Sequence, residues 1–289
     1  MADGNRMTLM ELPNALPPSF DFAELVQEVS QANIPWARHY SEYQSGDWWT
    51  CSLLGRSADA RDVEVTDAVR PLVTDALEKL PVTRKLIEDM GLQYMMVRLA
   101  RLDPHGALWE HRDYQDLRRV PRQRIHLPLE TNSDAFLVSG GQRFHMGLAS
   151  LQTFRPTTAH GACNAGTRTR AHLILDVYED ERLRKLLVHA NPLPSVPLQA
   201  LSAPDLAAKV RQLRESLWRD EPDDENGATA DSLKHWERAV LGLYFVFAVP
   251  EGELYAALEQ VCLDNGDRGR ADFWTARRKL VLGEGLHDG

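Results

Sequence analysis

The chain is poor in cysteine: Cys51, Cys163 and Cys262 are the three among 289 residues. An odd number, so widely spaced, builds neither a zinc knuckle nor a closed set of disulfides, and reduced structural thiols are expected. The sequence has no run of 18 apolar residues with which to span a bilayer. Its opening stretch, MADGNRMTLMELPNALPPSF, carries neither a basic leader nor a continuous apolar core, so no secretory signal is expected and a cytoplasmic location is. Internal repeats and long low-complexity tracts are missing too. Positive charge is in deficit, with a formal net charge of −9, which works against a phosphate-backbone partner. Neither nucleic acid nor a membrane is an expected partner.

What is present is ordinary globular composition, 43% hydrophobic and 26% charged, at a length suited to one large domain or to one domain plus an appendage. Phe22, Leu25, Val26 and Val29 recur at helical spacing behind Asp21. A second helix is expected after Pro71, on Leu72, Val73, Ala76, Leu77 and Leu80, and a third from Thr83 to Met90, closed by Gly91. From Leu92 to about Tyr178 the texture changes to short β-branched and aromatic segments broken by Pro, Gly, Asn and Asp, which read as strands. Helical spacing returns from Glu181 onward, with Leu206, Val210, Leu213 and Leu217 in one stripe behind Ser202 and its capping partner Asp205. An acidic stretch, DEPDDENGATAD, separates this helix from a further helical region ending near Leu282. Three regions are expected: 1–91, a helical scaffold with a strand near 47–54; 92–180, a β core; and 181–289, a helical C-terminal region.

Alternation along two of the strands is informative. In RIHLPL, Arg124, His126 and Pro128 share one face while Ile125, Leu127 and Leu129 share the other. TRAHLILDV repeats the pattern, placing Arg170, His172, Ile174 and Asp176 opposite Ala171, Leu173, Leu175 and Val177. Two strands with a polar stripe imply a barrel or sandwich around a polar interior.

In WEHRDY, His111 and Asp113 stand two residues apart, so on a strand an imidazole and a carboxylate point the same way. His160, on a later strand, completes two nitrogens and one oxygen on one face of an octahedral ion, with three positions left open. Iron(II) with O2 activation is the chemistry that such a set serves best. A His-x-Asp pair alone is a weak signal, more readily read as a surface ion pair. The further matches decide. Arg170 follows His160 by ten residues and can grip a carboxylate with both arms of its guanidinium. Arg124 and His126 add two more donors, and three inward-facing donors ask for a bound anion, because burying unpaired charge is costly.

These residues resemble the aspartyl/asparaginyl β-hydroxylase-like branch of the iron(II)/2-oxoglutarate oxygenases, and within it the bacterial proline cis-3- and cis-4-hydroxylases. The resemblance covers about Tyr94 to Asp180: RLDPHG followed by EHRDY, then RIHLPLETN, then His160 and Asn164, then RAHLILD. SGDWWTCSLLG, Ser45 to Gly55, is similar to the family's N-terminal strand, more loosely. It implies an α+β fold: a double-stranded β-helix core of the jelly-roll, cupin-like kind, flanked by helices, with a helical C-terminal region. It further implies His111, Asp113 and His160 as the metal ligands, Fe(II) as cofactor, and 2-oxoglutarate and O2 as co-substrates. Arg170 would hold the far carboxylate of 2-oxoglutarate, with Arg124 and His126 as additional contacts.

The chain departs from the family pattern at Pro104-His105-Gly106, where Pro-Gly is usual, and at Leu148-Ala149-Ser150 before Gln152, where a Gly-Glu turn is usual. Both departures bear on the substrate side of the pocket. Arg101 is a candidate for the substrate carboxylate, with a strand-edge salt bridge as the alternative. Arg118, with Arg119 and Arg122, is a candidate lid over an anion, or simply a solvated charge run. Trp48 is a candidate pocket wall, with a core role as its alternative. The expected activity is hydroxylation of an unactivated C–H of a small free amino acid, proline or pipecolate first, coupled to conversion of 2-oxoglutarate to succinate and CO2. The alternatives are a hydroxylase of a peptide-, protein- or carrier-bound residue, and a non-catalytic metal-binding cupin-like protein. The expected partner is the small-molecule substrate, and a homodimer is compatible with the sequence.

Overall fold

The computed structural model describes residues 9–38, 44–67, 70–113, 120–217 and 228–284. In chain order the N-terminal elements are β1 (Met10–Leu12), α1 (Phe22–Gln31), β2 (Ala37–Arg38), β3 (Gln44–Ser45), β4 (Trp48–Gly55), β5 (Leu72–Val73) and α2 (Pro81–Met90). Eight strands follow: β6 (Tyr94–Leu102), β7 (Ala107–His111), β8 (Arg122–Glu130), β9 (Ala135–Ser139), β10 (Gln142–Phe144), β11 (Leu151–Phe154), β12 (His160–Asn164) and β13 (Arg170–Tyr178). Then come α3 (Glu181–Val188), β14 (Asn191–Pro192), β15 (Ser195–Pro197), β16 (Gln199–Ala200), α4 (Ala203–Leu217), α5 (Ala228–Gly242), β17 (Phe247–Ala248), α6 (Glu253–Asp264) and α7 (Arg268–Leu282).

The eight central strands divide between two antiparallel sheets in the order β11-β8-β13-β6 and β10-β9-β12-β7. Consecutive strands cross between the sheets except at the β9–β10 hairpin, which is the connectivity of a jelly roll, or double-stranded β-helix. The first, major sheet is extended by β4 and β2 on one side and by β1 and β14 on the other, and the minor sheet by β3 and β15.

Apolar side chains of the major sheet, among them Cys51, Leu53, Val97, Leu99, Ile125, Leu127, Leu173 and Leu175, face away from the minor sheet and pack under α1, α2 and α3. The outer face of the minor sheet, with Ala107, Trp109, Phe136 and Val138, is covered by the C-terminal helices through Trp236, Tyr244, Phe245, Tyr255 and Trp274. Each fully buried side chain of this size contributes ~1.5–3 kcal/mol, so stability is concentrated outside the roll and its interior is free to be polar.

Local sequence explains the flanking helices. Asp21 caps α1 by accepting from the backbone N–H of Ala23 at 2.8 Å. The first turn of α2 has no cap of its own, and Glu28 of α1 supplies one, accepting from Val82 N at 2.7 Å and Thr83 N at 2.9 Å. Gly91 ends α2 in the left-handed region, at φ 56°. The helix expected on Leu72 to Leu80 does not form. Leu72 and Val73 pair with Gly55 and Leu54 instead, and Thr74 bonds to Ser52 O through its hydroxyl at 2.7 Å, leaving one 3₁₀ turn at Leu77–Lys79. Strand pairing satisfies backbone groups that an isolated turn of helix would expose. The expected helix behind Ser202 is α4, with the Ser202 hydroxyl 2.5 Å from Asp205 Oδ2. Most of the acidic stretch before α5 lies outside the described residues. Among the described residues, no helix is long and apolar enough to cross a membrane.

Gly161 is where the C-terminal helices press closest on the roll: a Cβ there would lie 2.9 Å from Tyr244 Cε1 and 3.0 Å from Leu108 O. Gly161→Val is therefore expected to cost ~1–3 kcal/mol by overpacking, read as a fall of several degrees in thermal midpoint. An unchanged midpoint would show that this contact is not close-packed.

Candidate active site

The interior face of the roll is set by strand register. Arg124 opposes Asp176, His126 opposes Ile174, Ile174 opposes Arg98, and Arg170 opposes Leu102, which in turn opposes Trp48. Directly opposed residues point to the same side, so these side chains converge on the space between the sheets.

On the minor sheet, His160 opposes His111 and Ala162 opposes Leu108, so β7 carries one more residue than β12 over this interval. That extra residue is a β-bulge, and it breaks the alternation. Leu108 and His111 both reach the interior while Trp109 and Glu110, between them, both turn toward the C-terminal helices. Trp109 packs near Phe245, with ring centroids 6.1 Å apart. Glu110 accepts from Gly252 N at 3.2 Å, and its backbone carbonyl accepts from the Tyr255 hydroxyl at 2.6 Å. Burial pushes the Glu110 carboxyl up to about 8. β7 ends at His111; Asp113 lies just beyond it, held by its backbone N–H on Pro156 O at 2.9 Å.

His111, Asp113 and His160 meet here, their nearest ligand atoms all within 4.8 Å of one another. His111 Nε2 is 3.7 Å from Asp113 Oδ1, and His160 Nε2 is 3.5 Å from Asp113 Oδ2. Each imidazole is held at its other nitrogen: His111 Nδ1 lies 2.6 Å from Trp109 O and His160 Nδ1 2.8 Å from Thr158 O. A carbonyl oxygen can only accept, so both Nδ1 atoms carry a proton, which leaves Nε2, facing Asp113, as the ligating nitrogen of each ring. This is the tautomer a metal requires. Burial lowers the His160 pKa to about 3, with His111 adding to the effect, so the ring is neutral at physiological pH. Burial opposes ionisation of Asp113, but Arg124, His111 and His160 outweigh it and hold its carboxyl below the usual carboxylate range. Two imidazoles and one carboxylate form a donor set suited to a divalent transition metal.

Below the triad the interior is cationic. Arg124 Nε donates to Asp176 Oδ1 at 2.7 Å, and its Nη1 pairs with Asp113. Arg98 lies 3.6 Å from the same Asp176, which has no solvent exposure. Arg170 is buried, and its Nη2 reaches His172 Nδ1 at 3.2 Å, but no carboxylate pairs with it among the described residues. Burial accordingly brings its guanidinium down to about 10. His126 Nδ1 sits 3.0 Å from His172 Nδ1, and burial and the nearby Arg170 keep both rings neutral. The Nε2 atoms of His126 and His172 have no hydrogen-bond partner. A buried unmatched guanidinium beside orphaned imidazole nitrogens marks a place built for a polar, anionic guest.

The family model described as Aspartyl/Asparaginyl beta-hydroxylase matches residues 20–180, more than half of the chain. The chain belongs to this family. Its relatives include an L-proline cis-4-hydroxylase of Rhizobium meliloti (strain 1021), 28% identical over 274 residues that cover 91% of this chain and 93% of the relative. Among solved structures, an oxidoreductase of the 2OG-Fe(II) oxygenase family from Burkholderia pseudomallei matches at TM-score 0.41 and 12% identity, over 57% of this chain and 85% of that one. A viral collagen prolyl hydroxylase of Paramecium Bursaria Chlorella virus-1, in a 2OG complex, matches at TM-score 0.35 and 10% identity, over 61% of this chain and 97% of that one.

Not every residue expected at the site of this β-hydroxylase-family chain is there. Arg101 opposes Ala171 and Trp49, on the face of β6 away from the interior. It pairs with Asp103 at 3.0 Å and stacks over Trp36 and Trp49. The substrate role expected for it is corrected: strand alternation puts Arg98 inside and Arg101 out. Arg122 is likewise no lid, since it lies buried against Asp67 and the ring of Tyr178. Arg118 and Arg119 fall outside the described residues. Trp48 faces inward and packs with Ala100, Leu102 and Ile174. Arg124, expected to touch the co-substrate, is engaged by Asp113 and Asp176. His172, on the polar face of β13, stands between His126 and Arg170. Arg98 was missed, although the alternation of Met96, Arg98 and Ala100 along β6 would have revealed it.

The unmatched cation at Arg170 predicts a trade of stability for binding. Arg170→Met should leave the ligand-free protein as stable as the parent, or more so, because a desolvated charge is replaced by an isosteric apolar chain. The same variant should lose the rise in melting temperature that 2-oxoglutarate gives the metal-loaded parent. Strong destabilisation without ligand would show that Arg170 has a structural partner.

Proposed function

We propose that this chain is an Fe(II)- and 2-oxoglutarate-dependent oxygenase that hydroxylates an unactivated C–H of a small free amino acid, with proline as the first substrate to test. The observation that carries the reading is the pairing, within one interior, of a two-imidazole, one-carboxylate donor set with a buried guanidinium that no carboxylate among the described residues matches. Family membership and the proline cis-4-hydroxylase relative support it.

His111, Asp113 and His160 would hold the iron, their Nδ1 atoms anchored on backbone carbonyls so that the Nε2 atoms keep their direction. Iron(II), when bound there, supplies the redox chemistry that couples O2 reduction and 2-oxoglutarate decarboxylation to oxidation of a C–H bond. Arg170 would receive the distal carboxylate of 2-oxoglutarate, and the orphaned Nε2 atoms of His126 and His172 lie where they can pair with a polar guest. Arg124 holds the Asp113 carboxylate ionised and oriented. Phe154, stacked on His126 with centroids 5.5 Å apart and edge-on to His160 at 5.0 Å, keeps this wall dry. For the substrate, Arg98 is the interior cation with an unpartnered Nε, and Trp48 supplies an apolar wall. A free amino acid offers Arg98, whose link to Asp176 is long at 3.6 Å, a second and closer carboxylate, and a small ring fits against Trp48. A cytoplasmic location suits such a substrate.

The test is to incubate the iron-loaded chain with 2-oxoglutarate, O2 and proline, pipecolate or prolinamide, and to follow succinate and a one-oxygen mass gain. The free acids should be oxidised and the amide should react at least tenfold more slowly, since it withdraws the substrate carboxylate from Arg98 at a cost of about 2 kcal/mol or more. Oxidation confined to peptides or carrier-bound residues, or equal rates for acid and amide, would refute the free-amino-acid reading.

A further inference from the structure

The residue between the two ligands of β7 faces the other way. The side chain of Arg112 leaves the roll and enters the C-terminal helices, and all three of its nitrogens are used. Nη1 donates to Thr157 O at 2.8 Å, Nη2 to the carboxylate of Glu251, and Nε to the backbone carbonyl of Val281. Each partner has a consequence. Thr157 belongs to the turn that also accepts from Asp113 N, through Pro156 O, and from His160 Nδ1, through Thr158 O. Glu251 immediately precedes Gly252, whose N–H is bound by Glu110. Val281 lies in the last turn of α7, where carbonyls lack helical donors and the helix dipole is negative, so a cation is the favoured partner.

We propose that Arg112 is the positioning residue through which the C-terminal helices fix the geometry of the metal ligands; the inference rests on the metal-site reading above. One planar guanidinium ties the His111–Asp113 segment to the turn that orients His160 and to the ends of two helical segments. Without it the β7 terminus keeps the polar ties of Glu110 to the C-terminal helices. An amide reaches fewer acceptors and carries no charge. A lysine keeps the charge but makes one point contact where arginine makes three directed ones.

The experiment titrates Co(II) into the full-length chain, stripped of metal by a chelator, and reads the visible absorbance of the bound ion alongside circular dichroism and thermal melting. Arg112→Gln is expected to fold and to bind Co(II) about ten- to a hundredfold more weakly, as loss of an outer-shell partner does elsewhere. Arg112→Lys should recover part of that loss. Arg270→Gln breaks the Arg270–Glu237 pair of the same helices without touching this network, and should lower the melting temperature while leaving Co(II) affinity unchanged. If Arg112→Gln does not fold, Glu251→Gln removes one partner and keeps the guanidinium; a severalfold weaker affinity supports the proposal, and an unchanged one overturns it. Parental Co(II) affinity in folded Arg112→Gln also overturns it, as does equal weakening in Arg270→Gln, which would reduce the effect to general stability. Failure of the parent chain to bind Co(II) would instead refute the metal-site reading itself.

Discussion

Arg124 lies between two carboxylates, Asp113 and Asp176, inside a space closed over by two sheets, and Arg98 approaches Asp176 from the next strand. Charges so placed are shielded from water, and each one left unmet costs stability. The count does not balance: Arg98, Arg124 and Arg170 face Asp113 and Asp176. A protein that keeps a surplus of positive charge inside its β core cannot use that core for hydrophobic stability. The apolar burial has moved to the outer faces, under α1 to α3 on one side and α4 to α7 on the other. The helices are thus the stabilising layers of an inside-out sandwich.

This division explains how one short strand serves both regions. β7 carries the candidate ligand His111 on its inner side and, through its bulge, hands Trp109 and Glu110 to the C-terminal helices, which Arg112, just beyond the strand, also enters. The same segment is therefore part of the polar site and part of an apolar interface. Its position is determined from behind by packing and from in front by the imidazole and carboxylate contacts. Strain at either side would be felt at the other, because close-packed interiors transmit displacement.

Much of this was legible in the residues. The alternation in RIHLPL and TRAHLILDV marked the inner faces of β8 and β13, and Asp21, Gly91 and Ser202 marked helix ends, because these signals are local and periodic. What was not legible depended on tertiary context. The bulge in β7 has no residue signature, so Glu110 and Trp109 could not be assigned their direction. Leu72 to Leu80 has helical spacing, yet a ready strand edge at Leu54–Gly55 captured its start. Alternation along β6 places Arg98 and Arg101 on opposite faces, and the register of β6 against β13 tells which of the two faces is the inner one. His172 was undervalued because its partners, His126 and Arg170, are contributed across and along strands and not at a fixed spacing from the triad.

The central claim is that the interior is built to take a metal and a dicarboxylate together, the first at the triad and the second between it and Arg170. Calorimetric titration of 2-oxoglutarate into the chain without O2, in the presence and absence of Fe(II) or Co(II), tests it most directly. The account predicts tight one-to-one binding to the metal-loaded chain and at least tenfold weaker binding to the metal-free one, since the metal supplies the second anchor. Equal binding with and without metal, or no binding to the loaded chain, would contradict it.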